Sequence, residues 1–275
     1  MLITGASSGF GAAAARAFGA EGSRLLLGAR RVERLDRVTA EALKAGAAEA
    51  HFHFLDVSKT SSVEEFVRWA RDRIVQSPSS AVKSTPEDKK SKVQSPDTPA
   101  GGLHVLINNA GGALGLEPVA EGKDEDWETM MQTNVLGVLR MTRAALPLLR
   151  HNAGSSILNI GSYAGHAVYE GGAAYCGAKA AELQITRTLR LELSGTGIRV
   201  CSIDPGLAET EFSIVRFKGD SARAKKTYEG TQPLTAEDIA EILVWVASRP
   251  PHVNIDNMLI KCVDQAAMHK VFRRK

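Results

Sequence analysis

Cysteine is scarce in this chain. The three present, Cys176, Cys201 and Cys262, lie far apart in 275 residues. An odd, widely spaced set builds no disulfide framework and lacks metal-site spacing, so no metal is expected. A reducing compartment, the cytoplasm, fits best. An excess of one charge is also lacking: the net charge is +3, and the lysines and arginines are scattered rather than striped. That argues against a nucleic-acid partner. No apolar run approaches the roughly 20 residues that cross a bilayer. The chain enters the apolar run Met1-Leu2-Ile3 with no basic stretch before it, so neither a membrane role nor a signal peptide is expected. The final Arg-Arg-Lys is neither a retention nor a peroxisomal signal, and no internal repeat is visible. What remains is ordinary, 44% hydrophobic and 24% charged, and suits one large α/β domain.

Strand and helix patterns alternate. Met1-Leu2-Ile3, Arg24 to Gly28, His51 to Leu55, Leu103 to Ile107, Ser156 to Ile160, Ile198 to Ile203 and Asn257 to Cys262 read as strands. Between them Ala12 to Phe18, Val32 to Leu43, Val63 to Val75, Asp126 to Leu149, Ala173 to Leu193 and Thr235 to Val246 read as helices. Pro147 disturbs the end of the fourth, and Thr235 with Asp238 forms a capping-box variant at the start of the last. Such alternation predicts a doubly wound parallel sheet of about seven strands, Rossmann-type, with helices on both faces. One stretch departs: Gln76 to Gly102 is rich in Ser, Pro, Lys and Asp and nearly free of large apolar residues. It reads as a disordered insertion at 76–102 within a single domain spanning 1–275. Its Lys89-Lys90 pair is read as solvated loop rather than a docking site. Phe212 to Tyr228 reads as a polar, mobile segment.

The first turn carries Thr4-Gly5-Ala6-Ser7-Ser8-Gly9-Phe10-Gly11. Glycines between a strand and a helix permit a tight turn and let backbone N–H groups approach a pyrophosphate at the helix N-terminus. Gly5, Gly9 and Gly11, with Ser7, Ser8 and Phe10, are therefore candidate cofactor residues. An acid at the end of the second strand would hold the ribose 2′-hydroxyl of NAD. Here the sequence is Gly28-Ala29-Arg30-Arg31, without an acid. Arg30, with Arg31 beside it, can fork onto a 2′-phosphate, with Ser7 adding a hydroxyl, so the expected cofactor is NADP (NADPH). Asp56, with Val57 beside it, is placed to accept from the adenine amino group.

The acid/base candidates are Asn134, Ser162, Tyr175 and Lys179. A tyrosine and a lysine four apart share one helix face, and an ammonium beside a phenol favours the phenolate, which suits a proton shuttle. Alone the pair reads more often as an ordinary surface couple; with Ser162 and Asn134 in register the acid/base reading prevails. Cys176, next to Tyr175 and without a positioned histidine, reads as a packing residue. His166 reads as a polar lining.

Together these motifs resemble the short-chain dehydrogenase/reductase family. The resemblance rests on the loop Thr4–Gly11, Asn108-Asn109-Ala110-Gly111, Asn134, Ser162, Tyr175 with Lys179, and Pro205-Gly206. It covers the chain apart from the 76–102 stretch. Within the family the chain is similar to NADP-dependent serine 3-dehydrogenases, also called L-allo-threonine or 3-hydroxy acid dehydrogenases. Ala29-Arg30-Arg31-Val32-Glu33-Arg34-Leu35, Pro205-Gly206-Leu207-Ala208-Glu209-Thr210-Glu211-Phe212-Ser213 and Val215-Arg216-Phe217-Lys218-Gly219-Asp220 carry that narrower likeness. Few residues precede Thr4, where the family has several, but every motif residue is present.

The resemblance implies hydride transfer between the nicotinamide and the hydroxyl-bearing carbon of a small serine-like substrate. Tyr175 is then the general acid/base, Ser162 the donor to the substrate oxygen, and Lys179 a holder of the nicotinamide ribose. Asn134 takes the position that anchors a relay water. Asn109, Ala110 and Gly111 pass the adenosine ribose, and Pro205, Gly206 and Thr210 meet the carboxamide. Arg216 is a candidate substrate carboxylate clamp, with a plain surface arginine as the equal alternative. A homotetramer is also implied. Two rival functions stay open: an NADPH-dependent carbonyl reductase of another small substrate, and a non-catalytic NADP-sensing protein.

Overall fold

The computed structural model describes residues 1–76, 102–149 and 154–275. The expected insertion at 76–102, with its Lys89-Lys90 pair, falls almost wholly outside the described residues.

Seven strands form one sheet in the order β3-β2-β1-β4-β5-β6-β7, and each neighbouring pair is parallel. They are β1 Leu2–Thr4, β2 Arg24–Ala29, β3 Glu49–Phe54, β4 Val105–Asn108, β5 Ser156–Ile160, β6 Arg199–Pro205 and β7 Asn257–Ile260. The central strands are buried along their whole length, as a sheet covered on both faces requires. The helices are α1 Gly9–Ala20, α2 Val32–Ala45, α3 Thr60–Gln76, α4 Asp124–Met131, α5 Gly137–Ala145, α6 Ala173–Glu192, α7 Phe212–Arg216, α8 Ser221–Lys226 and α9 Ala236–Ala247.

Two apolar layers flank the sheet. One joins Phe18 of α1, Leu35 and Val38 of α2 and Ile239 and Leu243 of α9 to Ile3, Leu27 and Ile107. The other joins Phe66 of α3, Met141 of α5 and Leu189 of α6 to Leu2, Leu106 and Ile157. The strand order reverses between β1 and β4, which opens a crevice at the carboxyl ends of the strands, where ligands of such sheets bind.

One expectation needs correction, and two further features were not expected. The single helix expected over Asp126 to Leu149 is two helices joined by a π-helical turn at Gln132–Leu136, and α5 stops at Ala145 before a short 3-10 turn containing Pro147. Proline forbids the continued α ladder there. The π turn centres on Asn134, whose side-chain amide donates to Met130 O at 2.8 Å and Gly112 O at 2.9 Å. A side chain competing for helix carbonyls is a known cause of such a bulge. The segment Phe212 to Tyr228, read from the sequence as polar and mobile, contains α7 and α8; the Asp220 side chain caps α8 by accepting from Arg223 N–H. A last hairpin, β8 Gln265–Ala267 with β9 Lys270–Val271, has too few residues to show a period. The capping box at Thr235 and Asp238 is present in both its hydrogen bonds.

Candidate active site

A cavity of about 480 Å3 lies at the carboxyl ends of β1 to β6. It is lined on one side by Gly5, Ser7, Ser8, Gly9, Phe10, Arg30, Arg31, Asp56 and Val57. Asn109, Ala110 and Gly111 lie between, and Ser162, Tyr175, Lys179, Pro205, Gly206, Thr210 and Arg216 line the other side. Two expected site residues do not line it. Gly11 is buried in α1, where a Cβ would sit 2.6 Å from the Asn109 side-chain amide nitrogen, so this glycine permits close helix-to-strand packing. Asn134, 1% exposed, lies beneath the loop and accepts from Gly112 N–H at 3.1 Å.

The dinucleotide side is a backbone construction. Gly5 has φ +65° and Gly9 φ +52°, a region that costs other residues roughly 1–2 kcal/mol. A Cβ on Gly5 would also lie 2.8 Å from Ala110 Cα. Thr4 and Asn109 lock the two turns: Thr4 Oγ1 accepts from Asn109 N–H at 2.9 Å and from Ala110 N–H at 3.0 Å. The cradle leads into the N-terminus of α1, a ready anion site. A pyrophosphate therefore fits the donor set present.

The two arginines differ. Arg30 is exposed at the cavity rim. Arg31 is already held: it donates to Ser8 Oγ at 2.6 Å, Ser7 Oγ at 3.2 Å and Glu211 at 2.9 Å. Glu211 also takes Arg34 at 2.6 Å. Burial works against the Glu211 carboxylate, but the two guanidiniums outweigh it and hold its pKa below the ordinary value. Glu211 thus ties the segment after β6 to the start of α2, a role no local motif announces. Asp56 Oδ1 is engaged by Ser58, N–H at 3.0 Å and Oγ at 2.7 Å.

The acid/base side is built from side chains. Ser162 caps a 3-10 turn, its Oγ accepting from Ala164 N–H at 3.1 Å, which fixes the hydroxyl at the cavity. Tyr175 and Lys179 stand one turn apart on α6, only 8% and 7% exposed. Lys179 Nζ donates to Ile160 O at 2.8 Å and to Glu182 at 2.7 Å. Burial disfavours the ammonium, yet the charges of Glu182 and Tyr175 outweigh it and its pKa stands above the ordinary lysine value. Glu182 had no place in the sequence reading, although it lies three residues after Lys179 on the same face.

His166 corrects another expectation. It does not line the cavity; its Nε2 meets Asp204 at 2.5 Å, and Asp204 also accepts from Ser202 Oγ at 2.5 Å and from the Asn257 amide. Cys176 is a packing residue as expected, set with Ala113, Met130 and Ala164, and burial pushes its thiol pKa up.

Arg216 is not a plain surface residue. Its guanidinium carbon lies 5.1 Å from the ring centres of both Tyr175 and Phe212 and 5.4 Å from that of Tyr169. It donates to the Tyr169 hydroxyl, and its Nε is buried without a partner. Tyr169, another residue the sequence did not single out, has its phenol pKa pushed up to about 12 by burial, against the pull of Arg216. The cation at this end of the cavity is boxed by rings, with a donor to spare.

A doubly wound sheet, a glycine cradle at its switch point and a Ser–Tyr–Lys cluster beyond it define a dinucleotide-dependent oxidoreductase architecture. The model of the short chain dehydrogenase family matches residues 1–77 and 82–220, and the chain belongs to that family. It is 41% identical to an NADP-dependent 3-hydroxy acid dehydrogenase of Salmonella typhi, over 97% of this chain and 96% of that protein. It is 39% identical to sulfoacetaldehyde reductase 2 of Chromohalobacter salexigens, over 97% and 95% of the two chains. Among solved structures, the closed form of a serine dehydrogenase complexed with NADP+ superposes with a TM-score of 0.81 at 37% identity, over 100% of this chain and 99% of the other.

Proposed function

We propose that this protein is an NADP-dependent dehydrogenase that oxidises the hydroxyl-bearing carbon of serine-like 3-hydroxy acids, L-serine and L-allo-threonine among them. The observation that carries the reading is Arg216: a cation with an unpartnered buried Nε set against the ring of Tyr175. A small alcohol bearing a carboxylate satisfies both, with its anion on the guanidinium and its hydroxyl at the tyrosine. The family membership and the relatives' activities support the same class.

NADP, when bound, supplies the hydride chemistry at its nicotinamide. The chain's own residues do the rest. Gly5, Ser8 and Gly9 present backbone donors to the pyrophosphate, and Arg30 meets the 2′-phosphate. Tyr175 takes the substrate hydroxyl proton in oxidation and returns it in reduction. Ser162 donates to the substrate oxygen as negative charge grows there. Lys179 keeps a positive charge beside the phenol, and Asn134 shapes the turn beneath. Phe212 to Tyr228, which carries Arg216, closes over the substrate.

A second reading, reduction of another small anionic carbonyl compound, draws on the likeness to the sulfoacetaldehyde reductase, since a guanidinium forks onto sulfonate as onto carboxylate. Among the described residues no helix is long and apolar enough to cross a membrane, and the three cysteines are free and buried. Those facts support a cytoplasmic setting. Met131, Leu136 and Leu139, exposed apolar residues around α4 and α5, support a homotetramer, which light scattering tests.

The decisive assay follows nicotinamide absorbance with NADP and, separately, NAD, against L-serine, L-allo-threonine and sulfoacetaldehyde. NADP-linked turnover of the amino acids, reduced at least about a hundredfold in Tyr175→Phe, is expected. Turnover of sulfoacetaldehyde alone moves the assignment to the second reading, and NADP binding with no turnover moves it to a cofactor sensor.

A further inference from the structure

Behind Tyr175 and Lys179, on the side away from the cavity, lies a buried polar cluster that the mechanism above leaves unused. Glu182, on the next turn of α6, is 1% exposed, and its carboxylate lies 2.7 Å from Lys179 Nζ. It does not line the cavity, whereas Lys179 does. The helix is fixed at this point: Thr186 Oγ1 donates to Glu182 O at 2.9 Å and accepts from the Asn159 amide at 2.8 Å. From β6 the Asp204 carboxylate, itself 1% exposed, faces the same pair and is met in turn by His166. The charged and titratable groups around Glu182 are therefore Lys179 and Tyr175 on its own helix, Asp204 from the sheet, and His166 through Asp204.

The ammonium of Lys179 thus sits between two demands. On the cavity side it is needed as an unbalanced positive charge beside the Tyr175 phenol. On the floor side it meets one carboxylate directly and a second at longer range. Two of its three N–H donors are spent on Ile160 O and Glu182, so only one direction remains for the cavity. We propose that Glu182 is a positioning residue for this pair: its carboxylate pins Lys179 Nζ to the floor and, by balancing its charge, holds back loss of the proton shared by Tyr175 and Lys179. This rests on the reading of Tyr175 and Lys179 as the acid/base pair.

The sign of the effect does not depend on which of the two gives up the proton. Removing a nearby negative charge eases loss of a proton from either, so the first macroscopic step of the pair moves to lower pH. Tyr175 and Glu182 are two helical turns apart, which is roughly 10 Å. At such a distance in a partly wet site a unit charge shifts a titration by about half a unit to one unit. Burial raises the Glu182 pKa to about 7 against the opposing pull of Lys179. The carboxylate is therefore ionised at alkaline pH, where alcohol oxidation is read.

The test compares wild type, Tyr175→Phe and Glu182→Gln in NADP-linked oxidation of L-serine over roughly pH 6 to 10, a span that brackets these groups. The rising limb of kcat/KM is expected to move down by about half a unit to one unit in Glu182→Gln, about three- to tenfold in proton concentration. A role limited to filling space leaves the limb in place, because Gln has the same shape. An unmoved limb in a folded variant, with Tyr175→Phe inactive, overturns the role of Glu182 and leaves the acid/base reading intact. An active Tyr175→Phe, or an inactive wild type, overturns both. If Glu182→Gln does not fold, Lys179→Met is compared with Lys179→Met/Glu182→Gln by thermal melting. The doubly neutral protein melting higher supports the coupling; an equal or lower melting temperature overturns it.

Discussion

The two sides of the cavity are built by different means. On the dinucleotide side the chain shapes its own backbone: glycines at positive φ and an approach of the turns after β1 and β4 too close for a Cβ. Its charged groups lie at the rim, partly in water, and Arg31 and Arg34 share one carboxylate. On the acid/base side the side chains set one another: buried Lys179 on buried Glu182, His166 on buried Asp204, and half-buried Arg216 on half-buried Tyr169. Charge at the rim is screened and individually worth little. Charge in the floor is neither, so each partner there alters what its neighbour can do. The side that binds the cofactor should thus tolerate loss of single side chains, and the side that does the chemistry should not.

The sharpest test of that contrast is Arg216→Ala. A half-buried guanidinium that binds an anion contributes about 1.5–3 kcal/mol as a charged hydrogen bond. KM for L-serine is expected to rise about ten- to a hundredfold, with a much smaller rise for an uncharged alcohol of similar size. Equal changes for the two would show that the residue only packs against its three rings.

The same contrast explains what could be read from the chain alone. The glycine loop, the paired asparagines after β4 and the Tyr175–Lys179 spacing are local, so short segments reveal them, and the strand–helix alternation reveals the sheet. Asp204, Tyr169 and Glu211 matter through partners far away in sequence, and Glu182, though only three residues from Lys179, matters because both are buried. Arg216 and Tyr169 are 47 positions apart, and Arg31 and Glu211 are 180 apart. No periodicity carries that information. The π turn at Asn134 was invisible for a related reason: the hydrogen bonds of one side chain decide it inside an otherwise helical pattern. His166 was misplaced because proximity in sequence to Ser162 says nothing about which way a ring turns after a 3-10 turn.

On the cofactor side the corresponding substitution is Arg30→Ala. The lost contact is a rim cation to a phosphate, so NADP affinity is expected to fall about tenfold while NAD affinity stays level. The loss should shrink as salt is added. Titration of cofactor fluorescence at low and high salt checks both points. A fall in NAD affinity of the same size would mean that Arg30 supports the loop rather than the 2′-phosphate, and the distinction between rim and floor would weaken.

The smallest effect expected is on stability, and it sits in the floor. Glu182 holds its proton up to about 7 in the folded protein, against an ordinary value of 4.5. Between those values the native state binds more protons than the unfolded chain, so stability falls as pH rises through that window. Lys179 adds nothing to the slope there. Its pKa is raised above an already high value, so its contribution is complete below the unfolded lysine value and is lost only in more alkaline solution. Glu182→Gln removes the titrating group and keeps its volume. The variant should track wild type below the ordinary value of 4.5 and be the more stable by on the order of 1 kcal/mol near pH 8, where wild type must ionise a buried carboxyl and the amide need not. For a chain of this size that is about 2 °C in melting temperature. A difference that is constant with pH would mean that Glu182 stays ionised throughout and that Lys179 fully offsets its burial. The floor of the site would then be a fixed ion pair rather than a group that titrates near neutrality.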